Sequence, residues 1–489
     1  VTSAFRQIVR ANPPLLAAME GSDSMNGRLA IFFCLTLLSA AACAEEGWKH
    51  GGALFGELKY GPDFSRYEHV NPQAPKGGTL NQAVNGGFDS FNPFVVRGRP
   101  AAGLDYTGGL LWETLMEQSV DQHSASYGLL ADAFRHAPDH SAATYRLNSG
   151  ARFHDGSPVT PEDVIWSLEV LKANQPLYSQ YYRNVVKAEK TGEREVTFTF
   201  DVQGNRELPY IMGDLPVLPK AWWEGTGADG RQRNIAEPVS EPPLGSGPYR
   251  IAAFDMGKSI VWERVADYWG TNLPVRRGRY NFDRIRYTYF LDDTAVWESF
   301  KKGGIADTHG EYVSRRWASE YNFPAIERGD VLRKSFPQEG PETFQAYFFN
   351  LRNPKFADIR VRKALTLLFD FETMNKNLFF GLYRRTDSYF EGGELQSRGK
   401  AAGREREILE AYRGRVGAEA IDGEFRLPVY GDATQARTHQ REALRLLSEA
   451  GYRNEGGKLL DPAGKPFEIE ILGDGPVDER VGIPTVAYF

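Results

Sequence analysis

The chain contains two cysteines, Cys34 and Cys43, and both lie in one short apolar stretch near its start. That placement constrains what can hold the rest of the molecule together. Met25-Asn26-Gly27-Arg28 is a short basic start, Leu29 to Ala42 is an apolar run, and Ala42-Cys43-Ala44 closes it ahead of Glu45-Glu46. A basic start, an apolar middle and a small-x-small end mark a cleavable secretory signal. The run is shorter than the about 20 apolar residues that a membrane-spanning helix needs. The pattern predicts a signal peptide over residues 25–44, with cleavage after Ala44. Residues 1–24 precede the better start at Met25 and read as a start-site misassignment. Lipidation of Cys43 is the alternative, but Ala40 stands where a lipoprotein signal usually carries Leu, so cleavage is favoured. Cleavage removes both cysteines. Disulfides, cysteine metal sites and cysteine nucleophiles then fall away together, and the mature chain depends on packing alone. A thiol-free chain also suits an oxidising compartment.

At 489 residues the chain is long enough for two or three domains. The net charge of −6 argues against nucleic acid or an anionic membrane as partner, because both reward clustered Lys and Arg. An aromatic content of 13% suits either large cores or roomy ligand pockets. Strand-like and helix-like stretches alternate throughout, which predicts mixed α/β lobes. Thr144 to Phe153 alternates and then turns at Asp155-Gly156. Thr160-Pro161-Glu162-Asp163 follows as a capping box, with Val164, Leu168 and Leu171 on one helical face. Glu195 to Phe200 is expected to be a strand, and Asp292 to Lys302 a helix stopped by Gly303-Gly304. Asp358 is expected to cap a helix burying Val361, Leu365 and Leu368. A helix over residues 437–450 is expected to turn Ala443, Leu444 and Leu447 inward, and a hairpin to join Leu459-Leu460 to Phe467, Ile469 and Ile471.

Several chemical motifs fail on their context. Gly225-Thr226-Gly227-Ala228-Asp229-Gly230 has the spacing of a dinucleotide fingerprint but no strand before it and no helix after it, so it reads as a loop. His136 and His140 have the spacing of a helical metal pair, but Pro138 lies between them. Ser246, in Gly245-Ser246-Gly247, lacks the spacing of a nucleophile elbow. No cofactor and no catalytic centre are expected. Pro242 to Tyr249 is a dense Pro/Gly segment ahead of an apolar strand. It reads equally as a plain surface turn or as a hinge or pocket-lining crossing between lobes.

Taken in order, the motifs resemble those of the family 5 extracellular solute-binding proteins, the dipeptide and oligopeptide group. Tyr145 to Lys172 resembles the family's strand-turn-helix segment, and Gly245-Ser246-Gly247-Pro248-Tyr249 its Gly-(Thr/Ser)-Gly-Pro-Tyr crossing. Asp267-Tyr268-Trp269-Gly270, Ala295 to Asp307, Phe349-Asn350 with Asp358 to Leu365, and Leu444 to Tyr452 match later segments. His50 to Phe94 and Tyr383 to Phe390 are similar to the YejA-like branch, although Glu391-Gly392-Gly393 replaces its more usual Asn-Ser pair.

The resemblance implies an α/β, two-lobed, periplasmic-binding-protein type II-like fold with mixed sheets and an extra subdomain in lobe I. It divides the chain into lobe I (45–90 and 221–335), an inserted subdomain (91–220) and lobe II (336–489). The family continues past Phe489, so lobe II is read as incomplete and the chain as C-terminally truncated. The implied function is a monomeric periplasmic substrate-binding protein that delivers peptides, microcin C-like or cell-wall peptides among them, to an ABC permease. A periplasmic peptidase or a ligand-presenting sensor subunit is the alternative. Cleft residues are expected at Phe91, Asn92, Gly245, Ser246, Tyr347, Asn350 and Arg384. Arg384 reads either as a partner for a ligand carboxylate or as a surface ion pair.

Overall fold

The computed structural model describes residues 47–336, 340–393, 395–473 and 476–489. The signal segment and both cysteines lie outside the described residues. Among those described, no helix is long and apolar enough to cross a membrane.

Three sheets organise residues 47–290. The first has the order β1-β4-β3, with β1 Gly51–Ala53, β3 Met116–Gln118 and β4 Ala125–Gly128, all antiparallel. The second runs β2-β11-β10-β9, formed by Thr79–Asn85, Arg284–Phe290, Ser259–Arg264 and Tyr249–Asp255, where β2 and β11 are parallel. The third is the antiparallel sheet β5-β6-β8-β7, from Ala131–His136, Ala142–Leu147, Glu195–Phe200 and Val185–Gly192. Residues of β6 and β8 alternate between half-buried and buried, the period-2 pattern of a sheet with one face on a core.

Helix α1, Pro161–Asn174, packs on the third sheet and starts as expected. Asp163 N–H donates to Thr160 Oγ1 at 3.3 Å, and Thr160 N–H donates back to Asp163 Oδ2 at 2.9 Å. Val164, Leu168 and Leu171 are buried below it. The helix α2, Pro176–Tyr181, follows after one residue. A large aromatic-rich core runs beneath these elements and includes Trp112, Phe134, Tyr145, Phe198, Trp223 and Trp262, and a smaller one around Tyr60, Tyr67 and Tyr127 packs at the first sheet. The helix Asp293–Lys302 is capped by the Asp292 side chain and stopped at Gly303, whose φ of +77° is open to glycine.

Residues 340–489 are built differently. The helices Ile359–Leu368 and Ala433–Glu449 pack together over a small core of Phe356, Val361, Ala364, Leu365, Ala443, Leu447 and Tyr452. Leu444, expected inward, is 53% exposed. The buried stripe is 443, 446, 447 and 450, the i, i+3, i+4, i+7 set, and Leu444 falls outside it. The helix also begins earlier than expected, at an Asp432 cap. The Leu459-Leu460 strand pairs with Arg453–Glu455 rather than forward with residues 467–471. Gly456 and Gly457, at φ +58° and +78°, make the tight turn that needs positive φ at both central residues. The Asp461 to Gly464 turn does form, with Phe467 N–H donating to Leu459 O at 2.8 Å, but only Pro466 bridges to Leu460. Residues 341–350, 424–430 and 467–473 run without strand or helix.

Candidate ligand-binding cavity

A cavity of about 460 Å3 opens in the first region, walled by residues 106–118, the helix α2 with Tyr182, Asp214, and the turn at 276–280. Backbone pairing explains why two acidic side chains meet there. Val217 N–H donates to Glu113 O at 3.0 Å and Leu115 N–H donates to Leu215 O at 3.3 Å, around the Thr114–Pro216 bridge. That antiparallel register brings Glu113 and Asp214 into neighbouring segments of one wall.

The opposite charges come from a tight turn, in which the backbone N–H groups of Arg276 and Arg277 both donate to Leu273 O. Arg276 Nε lies 3.1 Å from Glu113 Oε1, and its Nη1 lies 2.7 Å from Glu117 Oε2. Arg279 Nη1 meets the other Glu117 oxygen at 2.6 Å. The Tyr268 hydroxyl also donates to Glu113 Oε1. Glu117 is therefore paired at both oxygens, while Glu113 Oε2 has no hydrogen-bond partner among the described residues. Burial pushes the Glu113 carboxyl above the usual carboxylate range, and Arg276 and the Tyr268 hydroxyl pull it back only in part. Burial likewise raises Asp214, whose Oδ2 accepts from the Tyr181 hydroxyl at 2.8 Å.

The remaining walls are aromatic. Tyr178 and Tyr182 stack with centroids 5.9 Å apart, and Tyr181 sits edge-on to Tyr182 at 5.0 Å. Tyr280 lies under the guanidinium groups of Arg276 and Arg279, at 5.6 and 5.2 Å. Tyr106, Leu177 and Tyr181 leave much of their apolar surface exposed at the mouth. Ion pairs on one wall and ring faces on the other suit the binding of a ligand with both apolar and charged parts.

The seven residues expected from the sequence do not line this cavity. Phe91 is inaccessible and packs against Phe88 and Phe254, with centroids 5.7 and 4.8 Å away. Asn92 is equally buried. Its Nδ2 donates to the carbonyls of Ile235 and Glu237 at 2.8 and 3.0 Å, and its Oδ1 accepts from Phe94 N–H at 3.0 Å. Gly245 and Ser246 belong to a buried crossing, so the plain-surface-turn reading of this segment fails. Ser246 and Gly247 donate backbone N–H groups to Leu111 O at 2.9 and 2.8 Å, and Ser246 Oγ accepts from Glu113 N–H at 3.2 Å. A Cβ on Gly245 would run into the Leu111 carbonyl. His154 N–H donates to Gly245 O at 2.8 Å, and Trp269 Nε1 to Ser246 O at 3.0 Å. This crossing thus backs the strand that carries Glu113.

Tyr347, Asn350 and Arg384 lie in the second region. The Tyr347 hydroxyl is 3.4 Å from Thr485 Oγ1 and its ring remains partly exposed. Asn350 Oδ1 accepts from Arg352 N–H at 3.2 Å. Arg384 pairs with Glu391 at 2.9 Å and Glu342 at 3.4 Å. The sequence reading missed Glu113, Asp214, Arg276 and the α2 tyrosines. A usable signal was present, since Glu113 is the sole charge in the run from Leu110 to Met116. Such a charge is buried with the run and requires a partner.

The model of the bacterial extracellular solute-binding proteins, family 5 (middle region), matches residues 126–487. A probable peptide-binding protein YejA of Agrobacterium fabrum is 42% identical over 463 residues, covering 94% of this chain and 75% of that protein. Among solved structures, the periplasmic oligopeptide-binding protein of an oligopeptide ABC transporter from Thermotoga maritima aligns with a TM-score of 0.59 at 20% identity, over 84% of this chain and 70% of that one. The oligopeptide-binding protein AppA of Bacillus subtilis, in complex with a nonapeptide, aligns at TM-score 0.54 and 19% identity, over 81% and 68%. The fold is that of these two-lobed periplasmic binding proteins.

Proposed function

The chain belongs to the bacterial extracellular solute-binding proteins of family 5, and from that membership we propose that it captures peptides between two closing lobes and hands them to the inner-membrane permease of an ABC importer. The observation that carries the reading is the extent of the likeness to a probable peptide-binding protein, 42% identity across 94% of the chain. The aromatic and ion-paired cavity of the first region supports it, because peptides offer both apolar side chains and charged groups. Residues 25–44 act as the cleavable signal that brings the protein to the periplasm, where it works as a monomer. Residues 45–335 form lobe I, with 91–220 inserted in it, and lobe II begins at Phe336.

Tyr347, Asn350 and Arg384 meet the ligand from the second region, and Phe91, Asn92, Gly245 and Ser246 hold the frame of the first. The ligand favours closure only through contacts that are better in the closed form. The protein binds without transforming its ligand. Isothermal titration with a defined peptide pool, combined with small-angle scattering, tests the proposal. Saturable heat with a fall in radius of gyration is expected. Cleavage of the peptides, or an absence of both signals, would overturn it.

A further inference from the structure

The first-region cavity is lined by Glu113, Glu117 and Asp214 against Arg276 and Arg279, which leaves one carboxylate in excess. The charges are not spread evenly. Both guanidinium groups are drawn onto Glu117, and Arg276 reaches only one oxygen of Glu113. Glu113 is 1% exposed and its Oε2 has no donor among the described residues. Asp214 accepts from the Tyr181 hydroxyl and faces no cation among the described residues. A buried carboxylate oxygen without a donor carries a desolvation cost that an incoming cation removes. The rings of Tyr178, Tyr181 and Tyr182 line the same cavity and carry the negative quadrupole that attracts a cation.

We propose that this cavity binds an ammonium or guanidinium group of the ligand, held by the free oxygens of Glu113 and Asp214 and flanked by the α2 tyrosines. The proposal rests on the peptide-capture reading and names the chemical class that the site selects. Two sources supply that chemistry, a peptide amino terminus and a basic side chain. The cavity's size admits either.

The test uses four forms of one pentapeptide, Ala-Ala-Lys-Ala-Ala: unmodified, N-acetylated, with norleucine in place of lysine, and with both changes. Norleucine keeps the alkyl stem and removes only the charge. Affinities are measured by titration calorimetry on the full-length protein. The doubly neutral peptide is expected to bind at least about tenfold more weakly than the best cationic form, as for a charge-assisted hydrogen bond lost from a buried site. Whichever singly charged form keeps its affinity identifies the source of the cation. Asp214→Asn is expected to shrink the preference below about threefold, on the same reasoning. It lies outside the guanidinium network, so it tests the site even where Glu113→Gln does not fold. Equal affinity for all four peptides, or an unchanged preference in Asp214→Asn, overturns the inference and leaves peptide capture standing. Binding of none of the four overturns both.

Discussion

In residues 47–290, Trp112, Trp223 and Trp262 are almost wholly inaccessible and sit in one continuous core. In residues 340–489, Phe348 is 74% exposed, Tyr389 76% and Leu472 92%. Both regions carry alternating apolar segments, but only the first pairs them into sheets of three and four strands. The extended runs at 341–350, 424–430 and 467–473 make no ladder among the described residues, and the sole strands nearby are a three-residue hairpin pair. Alternation along a strand sorts side chains to two faces, but it buries neither face until a neighbour covers one. The first region is therefore a rigid frame for a cavity. The second is held by two packed helices and keeps large apolar surfaces in solvent.

The contrast can be broken most directly by deleting one large aromatic from each region. Trp262 donates Nε1–H to Ala102 O at 2.8 Å and fills the space beside Gly103. Trp262→Ala is expected to cost about 4 kcal/mol in urea unfolding. Phe348→Ala is expected to change stability by less than about 0.5 kcal/mol. Comparable costs would erase the distinction.

The second region's own core gives a smaller effect. Leu447→Ala is expected to cost about 2 to 3 kcal/mol, seen as lost hydrogen-exchange protection in the helices Ile359–Leu368 and Ala433–Glu449 but not in the three sheets. Loss of protection throughout would mean that the two regions unfold as one.

Next comes the crossing behind the cavity. A Cβ on Gly247 would lie 2.5 Å from Leu110 O and 2.9 Å from the Leu111 carbonyl, and these are backbone atoms that cannot swing aside. Gly247→Ala is expected to cost about 1 to 3 kcal/mol and to weaken peptide binding together with stability. A neutral result would show the crossing to be loose.

The last effect has the opposite sign. Burial raises the folded-state pKa of Asp214 above its value of about 3.9 in an unfolded chain. The stability that goes with the protonated form is fully present below the unfolded pKa and is lost as pH rises through the folded one. Asn cannot ionise, so Asp214→Asn is expected to stabilise the protein at neutral pH, a gain that vanishes as pH falls below about 4, the unfolded carboxyl's own pKa. A destabilised variant at neutral pH would show that a cation already faces Asp214.

Local structure was legible where one stretch of sequence determines it. The Thr160 capping box, the Asp292 cap and the Gly303 stop depend on residues within one turn of each other. The hairpin at 453–460 is not the one expected through the Asp461 turn: the paired positive-φ glycines Gly456 and Gly457 make the tighter connection. The cavity was less legible, because its ion pairs join residues as far apart as Glu113 and Arg276. Motif order revealed the family, yet the residues in those motifs, Ser246 and His154 among them, turn out to brace the wall and not to line the cavity. A motif's side chains show which positions hold the frame together, while the lining follows from register and long-range pairing.

Native mass spectrometry of the protein, purified without denaturation and then exposed to a peptide library, tests peptide capture most directly. The account predicts one bound species in the peptide mass range, either carried through purification or selected from the library, at one copy per chain. A clean unliganded mass that stays unchanged across the library would contradict it.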